Sequence, residues 1–210
     1  MFELMVRTFS TMLQLGTPLP SFELPVVQGT SFIRHPQLRG LDQINDKILD
    51  DKPILLLIIC AHCPFVKHVE MELTKLDEDY GDQVYFLAIS SNSLETHPQD
   101  GPENLLLQSK EKGWTFPYLL DLDQSFANSL KAACTPDFFL FSSVKQGDQL
   151  LRYRGQLDDS RPGNKIPVTG KDLRSALDAV LEGKAVCHDQ KPSIGCNIKW
   201  HPGKEPSWFN

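Results

Sequence analysis

Six consecutive apolar residues, Ile54-Leu55-Leu56-Leu57-Ile58-Ile59, run straight into Cys60. Beyond it, Phe65, Val66, Val69, Leu73 and Leu76 recur at three- and four-residue spacing until Gly81. An unbroken apolar run suits a strand buried on both faces, and the recurring spacing suits a helix with one apolar stripe, so the segment reads strand, turn, helix. A second apolar run over 84–89 completes a βαβ unit, whose crossover makes the two strands a parallel, right-handed pair.

The flanking pattern extends this unit in both directions. Upstream, Leu15-Gly16-Thr17-Pro18-Leu19-Pro20 punctuates the chain, and Phe22, Leu24 and Val26 alternate over a strand at 22–27. Downstream come a polar, proline-containing loop (90–102), a short helix over 103–112 ending at Gly113, an extended stretch at 116–120 and a helix over 125–133. Phe138 to Phe141 then reads as a buried strand, and Gln146-Gly147-Asp148 turns the chain into another at 150–154. So short a connection joins antiparallel strands, which makes the sheet mixed. The last helix spans 171–181, with Thr169 near its start, Leu173, Leu177, Val180 and Leu181 on one face, and Gly183 just beyond. The expected organisation is an N-terminal extension (1–14), one α/β domain (15–183) and a tail (184–210) packed on it, with no clear element of its own.

Composition narrows the function classes. Twenty-one Lys and Arg face 27 Asp and Glu, a net charge of -6, so no field exists to hold a polyanion and nucleic acid is not an expected partner. No stretch approaches the roughly 20 apolar residues needed to span a bilayer. The start, Met1-Phe2-Glu3-Leu4-Met5-Val6-Arg7, interrupts its apolar stretch with charge and shows no cleavage pattern, so no secretory signal is read and a cytoplasmic protein is expected. Five cysteines are too few for a disulfide scaffold in 210 residues, and an odd number leaves one unpaired within a monomer.

The chemistry concentrates in Cys60-Ala61-His62-Cys63, placed where the buried strand feeds the helix. With Cys63 in the first helical turn, Cys60 is expected beside the helix N-terminus, where free N–H groups and the macrodipole favour a thiolate. Cys63 can then attack a mixed disulfide on Cys60, release the partner and close a Cys60–Cys63 bond. His62, when protonated, lowers the Cys60 pKa further. Two plainer readings stand beside this one. The motif is half of a zinc site, but neither Cys134 nor the Cys187/Cys196 pair supplies a second knuckle, so no metal is expected. The two thiols can also be inert small hydrophobes in a core.

Several stretches together carry a family resemblance: Cys60-Ala61-His62-Cys63-Pro64-Phe65-Val66-Lys67-His68, Ala88-Ile89-Ser90-Ser91-Asn92, Phe116-Pro117-Tyr118-Leu119, Cys134-Thr135-Pro136-Asp137-Phe138-Phe139, Tyr153-Arg154-Gly155 with Asp158-Asp159, and Pro192-Ser193-Ile194-Gly195-Cys196-Asn197-Ile198-Lys199-Trp200. The chain resembles thioredoxin-fold proteins of the alkyl hydroperoxide reductase/thiol-specific antioxidant superfamily, and more narrowly the peroxiredoxin-like thioredoxin family proteins. The resemblance implies a thioredoxin-like fold, a central mixed sheet flanked by helices. It implies Cys60 as nucleophile, Cys63 as resolving cysteine, and a cis Thr135-Pro136 bond that leaves the Thr135 backbone free to pair with an extended substrate segment. No cofactor is implied. Two features depart from the pattern. The buried acid that thioredoxins carry in the strand before the motif is missing from 54–59. The Pro-x-x-x-Thr-x-x-Cys motif of peroxiredoxins is incomplete in either register: counting from Cys63 meets Cys60 and Leu56, and counting from Cys60 recovers Pro53 but meets Leu57.

The expected function is therefore a thiol:disulfide oxidoreductase acting on disulfide- or thiol-containing proteins or small thiols. Alternatives are a thiol peroxidase passing through a sulfenic acid and a non-catalytic binding protein of the same fold. Cys134 and Cys196 are either separate packed thiols or, with the tail folded back, auxiliary redox partners for each other or for the Cys60/Cys63 pair. Cys187 reads as an exposed spectator. His68 reads as a solvated helix-face residue, Asp158-Asp159 as a solvated loop, and Trp114, Trp200 and Trp208 as packing.

Overall fold

The computed structural model describes residues 7–29, 32–49 and 51–209, so most of the N-terminal stretch read for a signal, Met1 to Val6, lies outside the described residues. The chain begins with β1 (Arg7–Phe9), β2 (Glu23–Pro25) and β3 (Gln43–Asn45), then enters the central unit β4 (Ile54–Ile58), α1 (Pro64–Tyr80) and β5 (Tyr85–Ser90). It continues through α2 (Pro102–Lys112), β6 (Tyr118–Leu120), α3 (Ser125–Ser129), β7 (Cys134–Thr135) and β8 (Asp137–Phe141). It closes with β9 (Leu151–Gly155), α4 (Lys171–Leu181) and β10 (Ile194–Asn197).

Five strands form the main sheet in the order β6-β5-β4-β8-β9. β4 pairs parallel with β5 and antiparallel with β8, and β8 pairs antiparallel with β9, which makes the sheet mixed as the short β8–β9 connection requires. β4 is central because both of its faces are apolar. Leu55 and Leu57 enter one core with the α1 stripe and with Leu173, Leu177 and Val180 of α4, while Ile54, Leu56 and Ile58 enter the other with Phe126, Leu130 and Phe139. Each such side chain removed from water contributes roughly 1.5–3 kcal/mol, so this strand fixes the layer order. The five α1 residues picked out by spacing, Phe65, Val66, Val69, Leu73 and Leu76, are all buried. α1 ends at Gly81, and Gly113 closes α2 in the left-handed conformation, φ 68°.

The terminal segments differ from the sequence reading. The tail contains a strand: β10 lies between β1 and β7 in a separate three-stranded antiparallel sheet. A four-residue segment in a Pro- and Gly-rich stretch carries too little periodicity to be recognised, and its pairing partners are both remote in sequence. α3 is shorter than expected and stops before Lys131, which takes a positive φ of 50°. Among the described residues, no helix is long and apolar enough to cross a membrane.

Candidate active site

The turn between β4 and α1 is held by one carboxylate from the long loop after β5. Asp100 is fully buried, and its Oδ1 accepts from the backbone N–H groups of Ala61 (3.0 Å) and His62 (3.1 Å). Its Oδ2 meets His62 Nδ1 at 2.6 Å and accepts from Asn92 Nδ2 at 2.7 Å. Burial opposes the Asp100 charge, but these hydrogen bonds and the His62 ring outweigh it and hold the carboxyl below its ordinary range. Asp100 was missed in the sequence because nothing marks one acid in a polar loop. The available signal was positional: the loop leaves the carboxyl end of β5, beside the carboxyl end of β4, where parallel α/β sheets gather their site residues.

Asp100 changes the electrostatics expected at the turn. His62 Nδ1 sits between the Asp100 carboxylate and Cys60, whose Sγ lies 3.8 Å from that nitrogen and 3.7 Å from Thr135 Oγ1. The Cys60 pKa is raised well above the ordinary thiol value by its hydrogen bond to Cys63, by burial and by the Asp100 charge. Cys63, by contrast, is itself the N-cap of α1. Its thiol donates to the Thr135 carbonyl at 3.3 Å, and the neighbouring Cys196 and Cys60 thiols lower its pKa against the cost of burial. Of the two sulfurs, Cys63 is the one at the N-cap of α1, whereas the sequence reading put it inside the first helical turn with Cys60 beside the helix end. The difference is one of register: with the helix starting at Pro64, the second cysteine of the motif occupies the cap position.

Thr135 and Pro136 do face the pair, and their peptide bond is cis. The Thr135 backbone, however, is not free. β10 pairs with it in the register Cys196↔Thr135 and Asn197↔Cys134. Gly195 packs so closely on the Thr135 carbonyl that a Cβ there would overlap it, which is why this position carries glycine. Cys60 is only 1% exposed and Cys63 is fully buried, so the expected accessible thiolate is covered in this conformation. Cys196 shares the thiol-side core with Cys60 and Cys63, whereas Cys134, opposite Asn197, falls on the other face of the ladder with its thiol 3.8 Å from the Pro136 carbonyl. Cys187 is exposed.

Other candidates resolve into packing roles. His68 is half-buried and bonds Ser160 Oγ at 2.8 Å, so it is not a solvated helix-face residue. Asp158 is buried rather than solvated: it accepts from the N–H groups of Ser160, Thr169 and Gly170 and so caps the approach to α4. Trp114 stacks on Phe116, and Trp200 meets Trp208 edge-on. The donor atoms of Cys60, His62 and Asp100 lie within 4.8 Å of one another, but the Asp100 oxygens already accept the protein's own donors, and the three carry no metal assignment.

The AhpC/TSA family pattern matches residues 15–153. The chain belongs to the AhpC/TSA family. A solved structure of an uncharacterized conserved protein from Geobacillus kaustophilus is 45% identical with a TM-score of 0.84, covering 95% of this chain and 98% of that one. A hypothetical protein from Sinorhizobium meliloti 1021 is 41% identical with a TM-score of 0.82, over 93% and 100% of the two chains. A secreted disulfide oxidoreductase from Mycobacterium tuberculosis, 13% identical over 75% of this chain and 95% of its own with a TM-score of 0.53, shares the thioredoxin-like fold. No curated protein matches the chain. Family membership and fold place this AhpC/TSA protein among thioredoxin-fold redox proteins.

Proposed function

We propose that this AhpC/TSA protein is a thiol:disulfide oxidoreductase that cycles Cys60 and Cys63 between dithiol and disulfide, with disulfide- or thiol-containing proteins or small thiols as partners. The observation that carries the reading is that both thiols of the strand-to-helix turn meet Thr135, the residue before the cis proline: Cys60 Sγ lies 3.7 Å from its hydroxyl and Cys63 Sγ 3.3 Å from its carbonyl. The shared proton can pass from Cys60 to the Cys63 sulfur. Cys60 thiolate then attacks a substrate disulfide, forms a mixed disulfide and releases one substrate thiolate. Cys63, losing its proton to that leaving group, attacks Cys60, closes the Cys60–Cys63 bond and releases the second half of the substrate as a thiolate, which takes up a proton from water. The substrate gains two electrons and the protein loses two. Access requires β10 to lift from Thr135, while an open groove lined by Ala61, His62, Lys67 and Lys112 borders the turn on the Cys60 side.

Insulin reduction coupled to dithiothreitol tests the cycle: turnover is expected from the native chain and is lost in Cys60→Ser and in Cys63→Ser. Undiminished turnover in either variant overturns it. One observation favours a second reading, thiol peroxidase: Thr135 brings to Cys60 a hydroxyl that the incomplete peroxiredoxin motif lacks. Stopped-flow mixing with hydrogen peroxide separates the two, since a peroxidase reacts far faster than free cysteine.

A further inference from the structure

The strand that closes the site is anchored on both sides of Cys196. Ser10 and Ser193 bond each other twice, through Ser10 N–H to the Ser193 carbonyl (3.0 Å) and Ser193 N–H to Ser10 Oγ (3.1 Å). Ser193 Oγ donates to the Gly155 carbonyl at 2.6 Å, and the Gln156 N–H donates to the Lys191 carbonyl at 3.0 Å. Gly155 holds φ 127° where any Cβ would overlap that same Lys191 carbonyl, so the body of the domain is shaped to receive the tail. On the far side of Cys196, the Lys199 N–H donates to Asn92 Oδ1 at 2.8 Å, and Asn92 in turn donates to Asp100, the carboxylate that holds the Cys60 turn. Extended, antiparallel and aligned on the residue before Pro136, β10 occupies the edge that the family resemblance reserves for a substrate segment, and it presents a cysteine there.

We propose that Cys196 is the third redox thiol of this site and that it takes over Cys63 in a disulfide that fastens the tail to its own domain. The inference rests on the dithiol cycle of the preceding section and names an internal partner for it. Three observations place the atoms. Cys196 lies directly opposite Thr135, and Cys63 Sγ lies 3.3 Å from the Thr135 carbonyl oxygen. Cys60, Cys63 and Cys196 share one cluster of buried side chains. All three thiols converge on Thr135: Cys60 Sγ lies 3.7 Å from its hydroxyl, Cys63 Sγ reaches its carbonyl, and Cys196 is its ladder partner.

The step is an exchange without net oxidation. Starting from the Cys60–Cys63 disulfide left by reduction of a substrate disulfide, Cys196 gives up its proton and attacks Cys63 Sγ. A Cys63–Cys196 bond forms, the Cys60–Cys63 bond breaks, and Cys60 leaves as a thiolate that takes up a proton. The oxidised protein then keeps its edge covered, whereas the reduced protein holds the tail by hydrogen bonds and packing alone and can open. A substrate disulfide therefore meets the protein in the form that has electrons to give.

The test oxidises full-length protein with oxidised glutathione, quenches in acid, alkylates the remaining thiols and maps cross-linked peptides by mass spectrometry. The native chain is expected to yield a Cys63–Cys196 cross-link with loss of most alkylation at Cys196, and Cys60→Ser is expected to retain that link. A Cys60–Cys63 bond in the native chain with Cys196 still fully alkylated overturns the inference and leaves the dithiol cycle standing. Absence of the Cys60–Cys63 bond from Cys196→Ser overturns the cycle itself, and Cys196→Ala repeats that arm should serine disturb the buried strand.

Discussion

Two carboxyl groups, Asp100 at the Cys60 turn and Asp137 next to Pro136, are both fully buried, and they behave oppositely. Asp100, on the turn side, is met by the N–H groups of Ala61 and His62, the Asn92 amide and the His62 ring, and stays charged below its ordinary range. Asp137, on the tail side, accepts from the Phe138 N–H at 3.2 Å, and its Oδ2 has no partner among the described residues. Burial therefore dominates and raises its pKa to about 8. Equal burial with opposite outcomes shows that the number of convergent donors, rather than depth, decides where this site tolerates charge.

Removing the charge from the well-supplied position is the most severe way to break this comparison. Asp100→Ala leaves four donors without an acceptor and is expected to cost about 3–5 kcal/mol at neutral pH, as for breaking other buried pairs. The Asp100 pKa is lowered on folding, so its contribution is present above the unfolded-state pKa and is lost as pH falls through the folded value. Urea unfolding at pH 7 and at acid pH checks both points: the gap between variant and native chain should narrow in acid, with an unchanged denaturant slope. A variant as stable as the native chain at pH 7 removes the electrostatic account of the turn.

How much of this was legible in the sequence follows the same division. The β4–Cys60–Cys63–α1 unit was readable because its signals are local: an apolar run, a motif, and five apolar residues at helical spacing. The cover over the pair was not. Ile194-Gly195-Cys196-Asn197 becomes a strand only because β1 and β7 arrive on either side of it. Asp100 and Asn92 become site residues only through the packing of two loops. Helix register also differs by one residue, since Cys63 stands at the cap position rather than inside the first turn.

Asp137 sharpens the comparison with a pH dependence of opposite sign. Between the ordinary aspartate pKa and about 8, the folded chain retains a proton that the unfolded chain has released. Native stability therefore falls as pH rises through that window, at most by roughly 1.4 kcal/mol per pH unit from this group, and levels off above it. Asp137→Asn removes the slope. The variant is expected to gain on the native chain steadily from pH 5 to pH 8 in parallel thermal unfolding series, and a constant difference across that range would show that Asp137 is charged throughout.

The smallest effect belongs to Asp159, which pairs with the tail through Lys191. Its carboxylate bonds Lys171 and Lys191, each at 2.7 Å, and its pKa is driven far below the usual range by those lysines and by Gln156. By pairing alone it resembles Asp100, yet its side chain is 29% exposed and both lysines are more than half exposed. Water and salt already satisfy such charges in the unfolded chain, so most of the apparent gain is screened. Asp159→Asn is expected to shift the thermal midpoint by no more than about 2 °C, and by less in high salt. A loss rivalling that of Asp100→Ala would mean that the tail is clamped by surface charge, and that the Ser10–Ser193 bonds and the Gly155 and Gly195 contacts are secondary.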